Sequence, residues 1–253
     1  MCELLGMSAN VPTDICFSFQ GLLQRGGGTG PHKDGWGIVF YEGKGIREFR
    51  DPDPCVNSEI ASLVQRYPIK SCYVISHIRQ ANVGGICLEN THPFTRELWG
   101  QNWTFAHNGQ LANSESLILD KDLPIGTTDS ERAFCWLLGE LRAAFSEPPA
   151  PDTLRDFLYP RCEQLREMGV FNCLLSNGHF LLAYCSTKLQ WITRRAPFGK
   201  AQLMDADVHI DFAGETTPND VVTVIATEPL TNNELWQEMA PGEMVMFVGG
   251  EGY

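Results

Sequence analysis

The sequence predicts an α+β fold in which antiparallel sheets pack on each other with helices outside. Three observations carry this. Strand-like segments fill both ends of the chain, two helical segments lie side by side in its centre, and no internal repeat, low-complexity tract or linker divides it. Strands, then helices, then strands again separates the two kinds of element, whereas regular βαβ alternation would imply a parallel sheet. The 253 residues are enough for one large domain or two small ones. With no divide in composition, the expectation is a single domain over residues 2–253.

Taken in order, residues 3–10 open with Leu4 and Leu5, which place Cys2 at the start of a strand. Ile15, Phe19, Leu22 and Leu23 then follow the spacing of one helix face, and Gly26-Gly27-Gly28 stops that helix. The loop 26–37 carries six glycines with His32, Lys33, Asp34 and Trp36. It lacks both the G-x-G-x-x-G and the G-K-[ST] patterns of phosphate-binding loops. It reads either as a close backbone approach to the site near Cys2 or as a turn. Residues 38–41 form a strand that turns at Glu42-Gly43-Lys44-Gly45 into 46–50. A short helix is expected over 57–66, ending before Pro68, and alternating strands over 72–79 and 103–107, the second closed by Asn108-Gly109. Asp129 opens a long helix to about residue 145, and Leu154, Phe157, Leu158, Leu165 and Met168 mark another. In the last third, 171–176 and 179–186 flank Asn177-Gly178, a strong hairpin signal, and strands follow over 189–194, 221–227 and 244–248.

Composition narrows the function. Hydrophobic residues make up 43% and charged residues 20%, as in an ordinary soluble globular protein. A formal net charge of −12 argues against nucleic acid and anionic membrane surfaces as partners. A small anionic substrate, which meets only its local pocket, is not excluded. No apolar run reaches the ~18 residues of a membrane span, and MCELLGMSAN lacks the basic segment of a signal peptide. The nine cysteines are scattered with no C-x-x-C. They read as reduced thiols of a cytoplasmic protein, without a disulfide framework, metal site or other cofactor.

The chemistry starts at Met1-Cys2. Because Cys2 is small, ordinary removal of the initiator Met leaves it as the N-terminal residue. Its thiol can then attack an acyl carbon while its own α-amine takes and returns the proton. Free α-amines titrate near 7.7–8.0 and Cys thiols near ~8.5, so both are usable around neutral pH. Acyl transfer also needs donors for the developing oxyanion. Asn108-Gly109 supplies a side-chain amide and an unencumbered N–H, although the same dipeptide also makes type I′ turns. For an amino-acid substrate, Arg79 offers a planar fork to the α-carboxylate. Asp129 offers a carboxylate to the ammonium, unless it serves only the helix start, where Thr128 and Glu131 have capping-box spacing. His92 and His107 look like partners for a Cys-His pair, but a terminal amine already supplies the base.

Cys2, Ser76-His77-Ile78-Arg79, Asn90-Thr91-His92-Pro93-Phe94, His107-Asn108-Gly109 and Thr128-Asp129-Ser130-Glu131 occur in that order. This resembles the class-II glutamine amidotransferases, which are N-terminal-nucleophile (Ntn) hydrolases. Asp34-Gly35-Trp36-Gly37 and Ala226-Thr227-Glu228-Pro229-Leu230-Thr231 resemble the standalone, YafJ-type branch, alongside γ-glutamyl hydrolases of ergothioneine synthesis and glutathione breakdown. The resemblance implies a four-layer αββα sandwich of two antiparallel sheets. It implies Cys2 as nucleophile, Asn108 and Gly109 as oxyanion hole, and Arg79, Asp129 and Arg25 as substrate-binding residues. The substrate it implies is glutamine, or another γ-glutamyl peptide or amine with the same mechanism. A non-catalytic glutamine sensor of the same fold would not need the nucleophile. Asn82 stands where synthetase-linked relatives carry Thr, which leaves substrate preference open. No synthetase domain follows in this sequence, so an ammonia-accepting synthase is expected to be either a separate subunit or absent.

Overall fold

The computed structural model describes residues 2–81, 84–212 and 217–253. Its central strand, β1 (Glu3–Thr13), is buried over its first seven residues. Leu4 and Leu5 are both fully buried, so β1 is covered on both faces. It pairs antiparallel with β4 (Ser71–Ile78) on one side and β12 (Val221–Ala226) on the other. β2 (Trp36–Glu42) and β3 (Gly45–Asp51) extend the sheet beyond β4, and β9 (Gln190–Arg195) and β13 (Gln237–Glu238) extend it beyond β12. The second sheet runs β15 (Glu251–Gly252), β14 (Glu243–Val248), β8 (Leu181–Cys185), β7 (Gly169–Ser176), β6 (Gln101–Leu111) and β5 (Phe94–Leu98), again antiparallel. β10 (Lys200–Gln202) and β11 (His209–Asp211) form a small hairpin apart from both sheets.

Side-chain alternation along the strands sorts the core into layers. Leu4, Ile75, Ala106, Leu174 and Ile225 meet between the two sheets. Leu5, Met7 and Ala9 face the other way, against α1 (Cys16–Arg25) and α2 (Glu59–Arg66), which cover the first sheet through Phe19, Leu22, Ala61 and Val64. α3 (Asp129–Ala144) and α4 (Pro151–Met168) cover the second sheet, with Phe134 stacked on Phe105 at 5.2 Å between ring centroids. The result is an αββα sandwich. No helix among the described residues is long and apolar enough to cross a membrane.

Two turn signals had different outcomes. Asn177-Gly178 does turn the chain between β7 and β8, with Gly178 at φ +85. Asn108-Gly109 does not end its strand. β6 continues to Leu111, with Asn108 opposite Asn172 and Gly109 opposite Phe171. A Cβ at Gly109 would overlap the Val170 carbonyl oxygen, so glycine here answers a close approach by β7 rather than a turn. Five short strands, β5, β10, β11, β13 and β15, were not anticipated. Four of them have only two or three residues, too few for a periodic signal, and β5 (FTREL) does not alternate in burial; each exists because a partner strand reaches it.

Candidate active site

Cys2 immediately precedes β1 and, by alternation, shares with Leu4 the side that looks at the second sheet. Its Sγ accepts a hydrogen bond from the Gln80 N–H at 3.3 Å and lies 3.5 Å from the Gln80 carbonyl, to which its S–H donates. Cys2 lines a small cavity of about 30 Å³ together with Arg79, Gly109 and Asp129. Burial pushes the thiol above its ordinary pKa, only partly opposed by the Gln80 N–H and the Arg79 guanidinium. At neutral pH this sulfur therefore needs a base to become a nucleophile. A larger cavity of about 710 Å³ lies towards the other end of β1, lined in part by Val11, Ile15, Cys16 and Phe198. It contains none of the residues expected to carry chemistry, and size alone does not make it the site.

Asn108 is fully buried in β6. Its Nδ2 donates to Thr227 Oγ1 at 3.4 Å, its backbone carbonyl accepts from Asn172 Nδ2 at 3.1 Å, and its Oδ1 has no hydrogen-bond partner. Thr227 Oγ1 also accepts the Leu4 N–H at 2.9 Å. Thr227 thus joins the strand carrying the nucleophile to Asn108. The sequence reading included Thr227 only within a family-like segment, because its two partners lie 223 and 119 residues away.

Arg79 directly follows β4 and is 3% exposed. Its guanidinium donates to the carbonyls of Gly85 at 3.0 Å and Gly84 at 3.3 Å. Its backbone is held by the glycine-rich loop, with Arg79 N–H to Gly35 O at 2.8 Å and Asp34 N–H to Arg79 O at 3.1 Å. Asp34 also accepts the Ala81 N–H at 2.7 Å. The later half of the loop therefore approaches the site closely, while Gly26 and Pro31 pair to turn its first half.

Asp129 is the first residue of α3, where the helix dipole favours a negative charge. Its Oδ2 accepts the Leu111 N–H at 2.6 Å, tying the end of β6 to the helix. The cap itself is Thr128, whose Oγ1 accepts the Glu131 N–H at 3.2 Å. Only this half of the expected capping box forms. Glu131 accepts instead from the N–H groups of Ile125 at 3.0 Å and Gly126 at 2.7 Å, and pairs with Arg96. A buried carboxylate takes the nearest cation and donors, and here those come from another strand and the preceding loop.

Arg25, like the buried Asn108, is not among the residues lining the Cys2 cavity. It binds Glu3 at 3.3 Å, Asp205 at 2.8 Å and the carbonyls of Glu228 and Pro229. The expected substrate-binding position is thus a buried clamp on the residue after Cys2. Burial raises the Glu3 carboxyl above the usual range, with Arg25 opposing. His107 has both ring nitrogens committed, Nδ1 to Ser130 Oγ at 2.8 Å and Nε2 to the Val170 carbonyl at 3.0 Å. His92 lines the cavity and stacks on His77 at 4.3 Å, but the Cys2 sulfur bonds Gln80 and neither histidine. Among the described residues, no group of three or more His, Cys, Asp or Glu side chains is placed to hold a metal ion. Met1 and Asn82, which bear on maturation and substrate preference, lie outside the described residues.

Similarity to known proteins extends over the whole chain. A family model described as glutamine amidotransferases class-II matches residues 1–253. The chain is 65% identical over 252 residues to YafJ of Escherichia coli (strain K12), which carries the name of a glutamine amidotransferase, covering 99% of both chains. It is 47% identical over 251 residues to a similarly named protein of Haemophilus influenzae, covering 99% of this chain and 85% of that one. A crystal structure from Pseudomonas aeruginosa PA01, also described as a glutamine amidotransferase, matches with a TM-score of 0.79 at 53% identity over 99% of each chain. The glutamine phosphoribosylpyrophosphate amidotransferase of B. subtilis shares the fold, with a TM-score of 0.63 at 16% identity over 100% of this chain and 48% of that one.

Proposed function

The chain belongs to the class-II glutamine amidotransferases, and from that premise we propose that it hydrolyses the γ-amide of glutamine through a γ-glutamyl thioester on Cys2. The observation that carries this reading is the convergence of Cys2, Arg79, Gly109 and Asp129 on one small cavity at the end of the inter-sheet layer. After removal of Met1, the α-amine of Cys2 takes the thiol proton and the sulfur attacks the γ-carbonyl carbon. The oxyanion that forms is met by Asn108 Nδ2 and the Gly109 N–H. The amine returns its proton to the leaving nitrogen, ammonia departs, and water then attacks the thioester to release glutamate and restore the thiol. Arg79 holds the α-carboxylate and Asp129 the α-ammonium. Arg79 exchanges its present carbonyl partners for the substrate, a trade of neutral acceptors for a charged one.

Two features support the amine as base. The thiol is raised by burial, so some base is required. His107, the histidine adjacent to Asn108, has both nitrogens engaged elsewhere. Arg25 has no substrate contact in this mechanism and instead holds Glu3. The reading treats residues 2–253 as one catalytic domain whose ammonia is either released or passed to a separate synthase.

The test uses protein confirmed by mass to lack Met1. A glutamine-like electrophile is expected to label Cys2 once and spare the other eight cysteines, and a panel of γ-glutamyl amides and peptides is expected to include turnover of glutamine. Label on another cysteine with Cys2 untouched would sink the mechanism. Turnover confined to γ-glutamyl peptides would move the substrate while leaving the thioester in place.

A further inference from the structure

We infer that Thr227 is a positioning residue for the oxyanion hole: its hydroxyl, anchored by the Leu4 N–H, orients the Asn108 amide so that Nδ2 faces the acyl oxygen. The inference deepens the function proposed above and rests on it. Thr227 follows β12 and extends the ladder with β1 by one residue. Its N–H donates to the Leu4 carbonyl at 3.2 Å, and the Leu4 N–H donates to its Oγ1 at 2.9 Å. A side-chain oxygen thus stands where a backbone carbonyl would otherwise accept. Leu4 is two positions from the nucleophile, so this hydroxyl is fixed relative to Cys2.

The same oxygen lies 3.4 Å from Asn108 Nδ2. In that orientation the hydroxyl accepts two hydrogen bonds, while the buried Asn108 Oδ1 has no partner. The two ends of an amide are nearly the same size, so its orientation follows from the hydrogen bonds it can make. Turned by 180°, Oδ1 accepts the Thr227 O–H, and the Leu4 N–H remains bonded to the same oxygen. The acceptor is then satisfied, and Nδ2 is left with hydrogens to give. An unpartnered buried acceptor contributes nothing to acyl transfer, whereas an unspent donor is what a developing oxyanion requires.

The neighbouring groups do not compete for this choice. The Asn108 backbone is fixed by pairing with Asn172, whose Nδ2 bonds the Asn108 carbonyl. Asn172 Oδ1 is taken by the N–H groups of Ser186, Thr187 and Lys188. Rotation of the side-chain amide remains, and the Thr227 hydroxyl is the group in contact with it. Thr227 is 3% exposed and Asn108 0% exposed, so solvent does not supply a substitute.

The experiment compares Thr227→Val, which keeps shape and loses the hydroxyl, with Thr227→Ser, which keeps the hydroxyl. Each is made alone and on an Asn108→Ala background, with glutamine as substrate. A second readout is the Asn108 side-chain NH₂ signal in the NMR spectrum, assigned by its loss in Asn108→Ala. Thr227→Val is expected to lower kcat about tenfold or more with KM within about twofold, since the donor acts mainly in the transition state. Thr227→Ser is expected to retain most of the rate. On Asn108→Ala, the Val substitution is expected to add little, because residues acting as a unit are not additive. The Asn108 NH₂ signal is expected to move in the Val variant and return in the Ser variant. A wild-type kcat in Thr227→Val, equal losses for Val and Ser, a full further loss on Asn108→Ala, or an unmoved Asn108 signal would each overturn the role. If wild type turns over no γ-glutamyl amide, the functional reading fails separately, and the NMR comparison still decides whether Thr227 orients Asn108.

Discussion

Asp129 tethers α3 to the end of β6, and the substrate role proposed for it can be separated from that tether. Thr128 caps α3, so the helix start does not depend on the charge of Asp129. Its carboxylate accepts the Leu111 N–H, and an Asn side-chain oxygen can accept the same bond. Asp129→Asn therefore keeps the tether to β6 and loses only the charge proposed to meet an ammonium. KM for glutamine is expected to rise about tenfold or more, the equivalent of ~1.4 kcal/mol. The melting midpoint is expected to stay near that of wild type. An α-N-acetylated substrate should bind poorly to both proteins and discriminate little between them. If KM for the free amine does not change, Asp129 is a tether and the ammonium site lies elsewhere.

Among the elements, β6 carries the most constraint. It is pinned by β7 from Thr104 to Leu111, and its glycine lies against the Val170 carbonyl of that strand. Gly109→Ala would drive a methyl group into the Val170 carbonyl. That carbonyl also accepts from His107, so displacing it disturbs the residue on the other side of Asn108. The substitution is expected to cost about 1–3 kcal/mol of stability, typical of overpacking, and to lower kcat as well. Urea unfolding beside steady-state kinetics checks this. A variant with unchanged midpoint and rate would mean that the β6–β7 approach is looser than described. Sequence periodicity identified the strand at 103–107 but not its last four residues. The Asn-Gly turn preference is a local signal, and pairing with β7 overrode it.

For the molecule as a whole, three buried histidines set the response to mild acid. Burial keeps His77, His92 and His107 below the ordinary imidazole value, His77 to about 3. For His77 and His92 neighbouring cationic groups add to the effect, whereas Asp129 opposes it at His107. In the unfolded chain they take up protons as pH falls through ~6.5, while in the fold they do so only at lower pH. The unfolded state then binds more protons, so stability declines as pH drops below ~6.5, by up to about 1.4 kcal/mol per unit for each fully affected histidine. Glu3 acts with the opposite sign: its raised carboxyl contributes stability that is lost as pH rises through its folded pKa. Glu228 and Glu234, held below the usual carboxylate range, lose their contribution only below ~4.5. In a Glu3→Gln background, which removes the opposing raised carboxyl, the interval from pH 7 to 5 lies above the remaining carboxylate window and reads the histidines. The urea midpoint is expected to fall across it, and a flat or rising midpoint would show that these rings are protonated in the fold.

Most of the elements and their order, and the presence of a thiol at position 2, are legible in the residues alone. Helix faces, the Asn177-Gly178 turn and the Thr128 cap are written in residues a few positions apart, and local backbone preference reads them directly. Which distant groups share a bond is set by packing. Arg25 meets Glu3 and Asp205 away from the lining of the Cys2 cavity, Glu131 turns from its own helix start to Arg96, and Thr227 closes on both Leu4 and Asn108. Such contacts depend on which strands become neighbours and which charges are buried together. That is settled by burial across the two sheets, where sequence separation of 100 or 200 residues leaves no local trace.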